Sequence, residues 1–332
     1  MANISTKYLG LELKSPIIIG SSPLTDSVDK VKTLADAGAG AVVLKSLFEE
    51  QILMDVDSQR VNNMYDSFGD AENYLTYYTK QKNIGDYLQL IKDCKKETDI
   101  PIIASINCMS HGEWTDFAKK MQDAGADAIE LNIFVLPADA EYTGFDYEKS
   151  YFDIINQIND VVSIPVTVKM SAYFSGMANF FMRLSQTEIK GMVLFNRFYS
   201  PDVDIEDEKV INQSFHSLAV DNSMALRWVG ILSSKLACDL VSSTGIVNGE
   251  SVIKNLLVGA KATQIVSTVI KNGPQVISEM NKTLENWMDS KKYAHTSEFI
   301  GKLSQKNIRK PILFERTQFM KYFSDADFVN LK

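Results

Sequence analysis

The residues best placed to do chemistry in this chain stand at the ends of short β-branched runs: Ser21, Lys45 with Ser46, Asn107, Asn132, Lys169, Asn196, Ser243, and Ser267 with Thr268. A lysine that closes an apolar run holds its ammonium where water is thinned, so it needs an anionic or electron-rich partner. Lys45 and Lys169 are two such groups. A reduced flavin is one such partner, because its N1–C2 carbonyl edge carries negative charge that a fixed cation stabilises. A carbonyl substrate is another, with one lysine forming a Schiff base as in a flavin-free lyase. The amides of Asn107, Asn132 and Asn196 each offer donors and an acceptor, which suits the alternating edge of a flavin ring. The stretches SSTGIVNGE (242–250) and VST (266–268) bring hydroxyls, Gly245 and Gly249 to one end, as a phosphate requires.

Positioning that many polar ends on one rim requires parallel strands. Eight runs qualify: Pro16–Gly20, Ala41–Lys45, Pro101–Ser105, Ala128–Asn132, Pro165–Lys169, Gly191–Phe195, Asp239–Ser243 and Thr263–Ser267. Each reads as a strand buried on both faces. Between them lie amphipathic stretches such as Val28–Ala37, Ile84–Glu97, Trp114–Ala124 and Tyr147–Asp160. The alternation predicts an α/β fold, a (β/α)8 TIM barrel, whose sites are built at the C-terminal ends of the strands. A partial repeat supports it: ADAGAGAVVLK (35–45), DAGADAIELN (123–132) and VGAKATQIVS (258–267) each read as a helix end, a glycine stop and a strand. An open doubly wound sheet is the competing architecture. Long connections follow the second strand (46–83) and the sixth (196–222), and are candidate lids over the site. Residues 1–305 are expected to form the barrel, and the Phe-rich segment 306–332 an extension packed on the barrel or on a second copy.

The 332 residues carry a net charge of -8 with no long basic run, which argues against nucleic acid or an anionic membrane as partner and leaves a small molecule. No apolar stretch approaches the roughly 18 residues of a membrane span, so a cytoplasmic protein is expected. Cys94, Cys108 and Cys238, like His111, His216 and His295, are scattered, and no metal is expected.

The segments SPIIIGSS, AVVLKS, IPIIASIN, DAIELN, IPVTVKM, GMVLFN, STGIVNGESVIKNLLVGA and TQIVSTVIKNGP occur in an order and spacing that resembles the dihydroorotate dehydrogenase family, in particular its soluble cytosolic class, up to about residue 305. The resemblance implies an FMN-dependent oxidation of dihydroorotate to orotate in pyrimidine biosynthesis, and a homodimer. It assigns FMN to Ser21, Lys45, Ser46, Asn107, Asn132, Lys169, Asn196, Gly245 and Ser267. Lys45 and Lys169 are expected to be catalytic: hydride would pass to flavin N5 with Lys169 near N1 and Lys45 beside the substrate.

The departures fall on the substrate side. The family's Asn-x-Ser-Cys-Pro-Asn loop, with Cys or Ser as the proton-abstracting base, here reads NIFVLPAD (132–139), and the base position falls on Val135. Replacement bases on the same loop are Asp139, Glu141 and Tyr142, or a water. The orotate-binding pattern survives as DSFGDAEN (66–73), keeping Ser67, Gly69 and Asn73 but adding Asp70 and Glu72. Arg197 follows Asn196 where the family has Ser, and is a candidate contact for a substrate carboxylate. The expectation is therefore an FMN-dependent, dihydroorotate dehydrogenase-like oxidoreductase with a remodelled substrate loop. The alternatives are a flavin-binding homologue with another substrate or no activity, and the Schiff-base lyase.

Overall fold

The computed structural model describes residues 2–48, 84–107, 113–197, 201–212 and 216–315. It opens with an antiparallel hairpin of β1 (Thr6–Tyr8) and β2 (Leu11–Leu13). The strands β3 (Ile17–Ile19), β4 (Ala41–Val43), β6 (Ile102–Asn107), β7 (Ala128–Asn132), β8 (Val166–Met170), β9 (Gly191–Leu194), β12 (Asp239–Ser243) and β13 (Ala262–Ile265) then pair in parallel, each with the next. β13 returns to β3 with Gln264 beside Ile18, and β4 pairs directly with β6, so the eight strands close into a barrel. A two-residue strand, β5 (Leu47–Phe48), adds to the end of β6. The chain is thus a (β/α)8 barrel, as the alternation of runs and amphipathic stretches predicts.

Strand composition explains why the sheet closes. Residues such as Ile17–Ile19, Ala41–Val43 and Val166–Met170 are buried without exception, so both faces must be covered. Outward positions pack against helices that include Val28–Asp36, Gly144–Asn159, Asn222–Leu232 and Gly249–Val258. The repeated glycine stops work as expected: Gly38, Gly125 and Gly259 adopt φ of 98°, 100° and 118°, the left-handed region that ends a helix without a Cβ clash.

Inward positions form a second apolar cluster of Ile18, Ala41, Val43, Ile103, Ala128, Val193, Val241 and Ala262, joined by Tyr8, Leu9 and Leu13 of the hairpin. The hairpin therefore plugs the N-terminal end of the barrel. Tyr8 Oη lies 2.8 Å from Thr167 Oγ1, and the Leu9 amide donates to Asp239 Oδ2 at 3.0 Å. Burial holds the Asp239 carboxyl above its ordinary value, with the Leu9 amide acting against that shift. Gly191 makes the plug fit, since a Cβ there would meet Leu9 Cδ2 at 2.6 Å and Tyr8 Oη at 2.9 Å. Gly191→Ala is expected to destabilise the fold by about 1–3 kcal/mol through overpacking. Urea unfolding at equal slope checks this, and an unchanged midpoint would show that the plug is loose.

Several elements differ from the sequence expectation. The eighth strand stops at Ile265, and Ser267 begins a further helix, Ser267–Asn272. The connection after β9 contains an exposed antiparallel hairpin, β10 (Pro201–Asp204) with β11 (Lys209–Asn212). Most of the connection after β4 lies outside the described residues. In the C-terminal segment, Ile312–Glu315 is helical, Phe314 lies against Gly230 of helix Asn222–Leu232, and Gln305 Nε2 donates to Glu315 Oε1 at 2.6 Å. Among the described residues no helix is long and apolar enough to cross a membrane.

Candidate active site

Side chains alternate along a strand, so stepping two residues on from an inward apolar position reaches the next inward layer. From Val43, Ile103, Ala128, Val241 and Ala262 the step leads to Lys45, Ser105, Glu130, Ser243 and Gln264. On β8 the same step leads from Thr167 to Lys169. The apolar filling of the barrel thus gives way, one layer up, to a polar floor. Above it opens a cavity of about 570 Å³. Its volume is in the range of roughly 300–1,000 Å³ usual for cofactor and small-molecule sites.

Three side chains in that floor form one network. Lys169 Nζ donates to Gln264 Oε1 at 2.7 Å, and Gln264 Nε2 donates to Glu130 Oε2 at 2.7 Å. The other carboxylate oxygen, Glu130 Oε1, lies 3.8 Å from Lys169 Nζ and has no hydrogen-bond partner among the described residues. All three residues are buried, with Glu130 at 1 %, Gln264 at 3 % and Lys169 at 9 % exposure. The parallel register of β7 and β8 sets Lys169 beside Asn132 and Thr167 beside Glu130, which brings the charged pair together.

Hydroxyls and amides line the walls. Ser46 Oγ bridges Ser21 Oγ (2.9 Å) and the buried Ser105 Oγ (2.7 Å), and the Ser46 amide donates to Ser21 Oγ at 2.7 Å. Asn196 Nδ2 donates to Asn132 Oδ1 at 2.7 Å, tying the ends of β7 and β9 together. The ends of β12 and β13 add Ser243, Thr244, Gly245 and Ile246, and Val266, Ser267 and Thr268, to the cavity wall. Thr268 Oγ1 donates to the Ile246 carbonyl at 2.6 Å, and Ser217 Oγ lies 2.7 Å from Ser267 Oγ. A Cβ on Gly245 would run into the Asn222 amide and the Leu218 carbonyl, so this turn has no room for a side chain.

Of the residues singled out from sequence, Ser21, Lys45, Ser46, Asn132, Lys169, Asn196, Arg197, Gly245 and Ser267 all line this one cavity. Arg197 is partly covered and stands 3.9 Å from Asp221 Oδ2. Asn107 ends β6, partly buried, and is not among the lining residues. Ser67, Gly69 and Asn73 lie outside the described residues. Val135 packs, partly buried, against the outer core. Asp139, Glu141 and Tyr142 are exposed, the last with its ring 5.8 Å from that of Tyr147, and none of the three lines the cavity. A reading by strand ends misses Glu130, Gln264, Ser105 and Ser217. The first three sit inside strands, and a two-residue step back from Asn132 reaches Glu130. No comparable pattern marks Ser217.

Comparison with known proteins gives the family of the chain. A catalytic subunit of dihydroorotate dehydrogenase B (NAD(+)) from Thermoplasma volcanium is 25% identical over 316 residues, covering 91% of this chain and 98% of that protein. The protein of the same name from Pyrococcus furiosus is 25% identical over 318 residues, covering 92% and 99%. Its counterpart from Methanocaldococcus jannaschii is 25% identical over 285 residues, covering 83% and 90%. Since the dihydroorotate dehydrogenase family model also matches residues 3–288, all eight barrel strands included, the chain belongs to the dihydroorotate dehydrogenase family.

Proposed function

We propose that the chain is an FMN-dependent oxidoreductase that acts on dihydroorotate or a close, carboxylate-bearing relative. The observation that carries this reading is the convergence of Lys169, Asn132, Asn196, Ser21 and Ser46 with the hydroxyl-rich turns 243–246 and 266–268 around one cavity. The donor set fits the cofactor: a cation for the electron-rich edge of the ring, amides for its alternating donors and acceptors, and hydroxyls with a side-chain-free turn for a phosphate. Bound FMN supplies a two-electron acceptor. The protein's part is to fix Lys169 on the floor through Gln264, to hold Asn132 against Asn196, and to present Lys45 and Arg197 toward an anionic substrate.

Val135 favours a second reading within the same class. Valine cannot accept a proton, so either dihydroorotate gives its proton to water or to a residue outside the described segments, or the substrate is one whose oxidation needs no base at that position. The Schiff-base lyase has no comparable support, because the relatives are named as dehydrogenases. Those names give NAD(+) as acceptor and call each relative a catalytic subunit, which favours electron exit to a companion subunit, with a homodimer of this chain at the centre as the resemblance implies.

Anaerobic addition of dihydroorotate to the FMN-loaded protein tests the substrate assignment: bleaching of the visible flavin band supports it, and a band that persists while dithionite still bleaches it rejects dihydroorotate as substrate. Arg197→Met is expected to weaken carboxylate substrate binding by about ten- to a hundredfold with FMN affinity unchanged, as loss of one charge-assisted hydrogen bond would do. A KM unmoved by the substitution would place the carboxylate elsewhere.

A further inference from the structure

Glu130 Oε1 is a buried carboxylate oxygen without a hydrogen-bond partner among the described residues, on a floor where Ser105, Lys169 and Gln264 are hydrogen-bonded. Leaving such an atom unpaired is costly, and more so for a charged group than for a neutral one. Lys169 Nζ, 3.8 Å away, is too distant for a hydrogen bond but close enough for strong charge interaction in a buried setting. Gln264 connects the two. A carboxylate only accepts, so the Gln264 amide must turn its NH2 to Glu130 and its oxygen to the lysine. Gly20 leaves the room for this: a Cβ there would meet both Gln264 Cγ and Oε1 at 3.1 Å. The charge of Glu130 thus does two things at once, setting the direction of the Gln264 amide and standing beside the ammonium that the amide holds.

We infer that Glu130 is a positioning residue that fixes Lys169 through Gln264 and damps its positive charge, so that the bound flavin faces a partly compensated cation. The inference rests on the FMN reading above. Negative charge that builds at the N1–C2 carbonyl edge is favoured by Lys169 and opposed by Glu130, so the carboxylate keeps the flavin harder to reduce than the lysine alone would make it.

Sulfite reads this charge directly. Its sulfur bonds to N5 of the oxidised flavin, its electron pair enters the ring, and the negative charge settles at the N1–C2 edge with bleaching of the visible band. Wild type, Glu130→Asp and Glu130→Gln, each saturated with FMN, are titrated with sulfite, and the flavin midpoint potential is measured alongside. Glu130→Gln keeps an acceptor for Gln264 but removes the charge, so it is expected to bind sulfite about tenfold more tightly and to raise the potential. Glu130→Asp, which keeps the charge but draws it back, is expected to fall between. A purely structural role predicts weaker FMN binding or a lower melting temperature with sulfite affinity unchanged, and that result overturns the inference. Should Glu130→Gln not fold, Glu130→Asp alone decides: tighter sulfite binding supports the inference and equal or weaker binding overturns it. Folded wild-type protein that takes up no FMN defeats both the cofactor reading and this inference, whereas FMN uptake with sulfite affinity indifferent to Glu130 defeats only the latter.

Discussion

Lys169→Met is expected to slow flavin reduction by about 10²–10³-fold at saturating FMN, the usual consequence of losing one preorganised group that stabilises developing charge. The same substitution strands the Glu130 carboxylate, which is 1 % exposed, and removes the donor to Gln264 Oε1. Breaking a buried charge pair from one side costs about 3–5 kcal/mol, so the variant should also melt markedly earlier. Two defects with one cause can be separated. The double variant Lys169→Met/Glu130→Gln removes both charges and is expected to regain most of the stability while remaining slow, as stopped-flow reduction and thermal unfolding together would show. Recovery of rate along with stability would mean that the lysine serves the fold alone.

The second large effect is a gain. The resemblance of loop 132–139 implies that Val135 takes the position of the family's proton-abstracting Cys or Ser, and a general base in reach of its proton contributes roughly 10²–10⁴-fold. Val135→Cys is therefore expected to raise single-turnover oxidation of dihydroorotate by about 10²-fold over wild type, with a rate that climbs as pH rises through the thiol's titration range. Val135 itself is partly buried and packs against the core, and a cysteine of similar size is expected to disturb that packing little. No gain, in a variant that binds both FMN and dihydroorotate, would show that the proton leaves by another route or that the natural substrate differs.

Much of the barrel is legible in the sequence because the information is local and periodic. Runs such as Pro165–Lys169 and Ala41–Lys45 are too short and too evenly apolar for an amphipathic helix, and the DAGA-type stops at Gly38 and Gly125 mark where each helix must end. The strand-end rule likewise finds Lys45, Asn132, Asn196 and Ser267 because one rim of a parallel barrel faces one cavity. What escapes it is the layer beneath. Glu130 and Gln264 lie 134 positions apart in sequence, and nothing local indicates that β13 closes onto β3 and aims Gln264 across the barrel at β7. Short elements escape too: the β10–β11 hairpin and helix Ser267–Asn272 lack the length over which periodicity accumulates. The plug formed by Tyr8 and Leu9 has no local signature, and the space that Gly191 makes for it exists only once the strands have closed.

The central claim, that the rim of polar strand ends encloses FMN, is tested most directly by titrating flavin-stripped, folded protein with FMN and following flavin fluorescence. Saturation at one FMN per chain is expected, with a complex that survives desalting. Protein that keeps its far-ultraviolet circular dichroism and cooperative melt yet leaves FMN fluorescence and elution unchanged would contradict it.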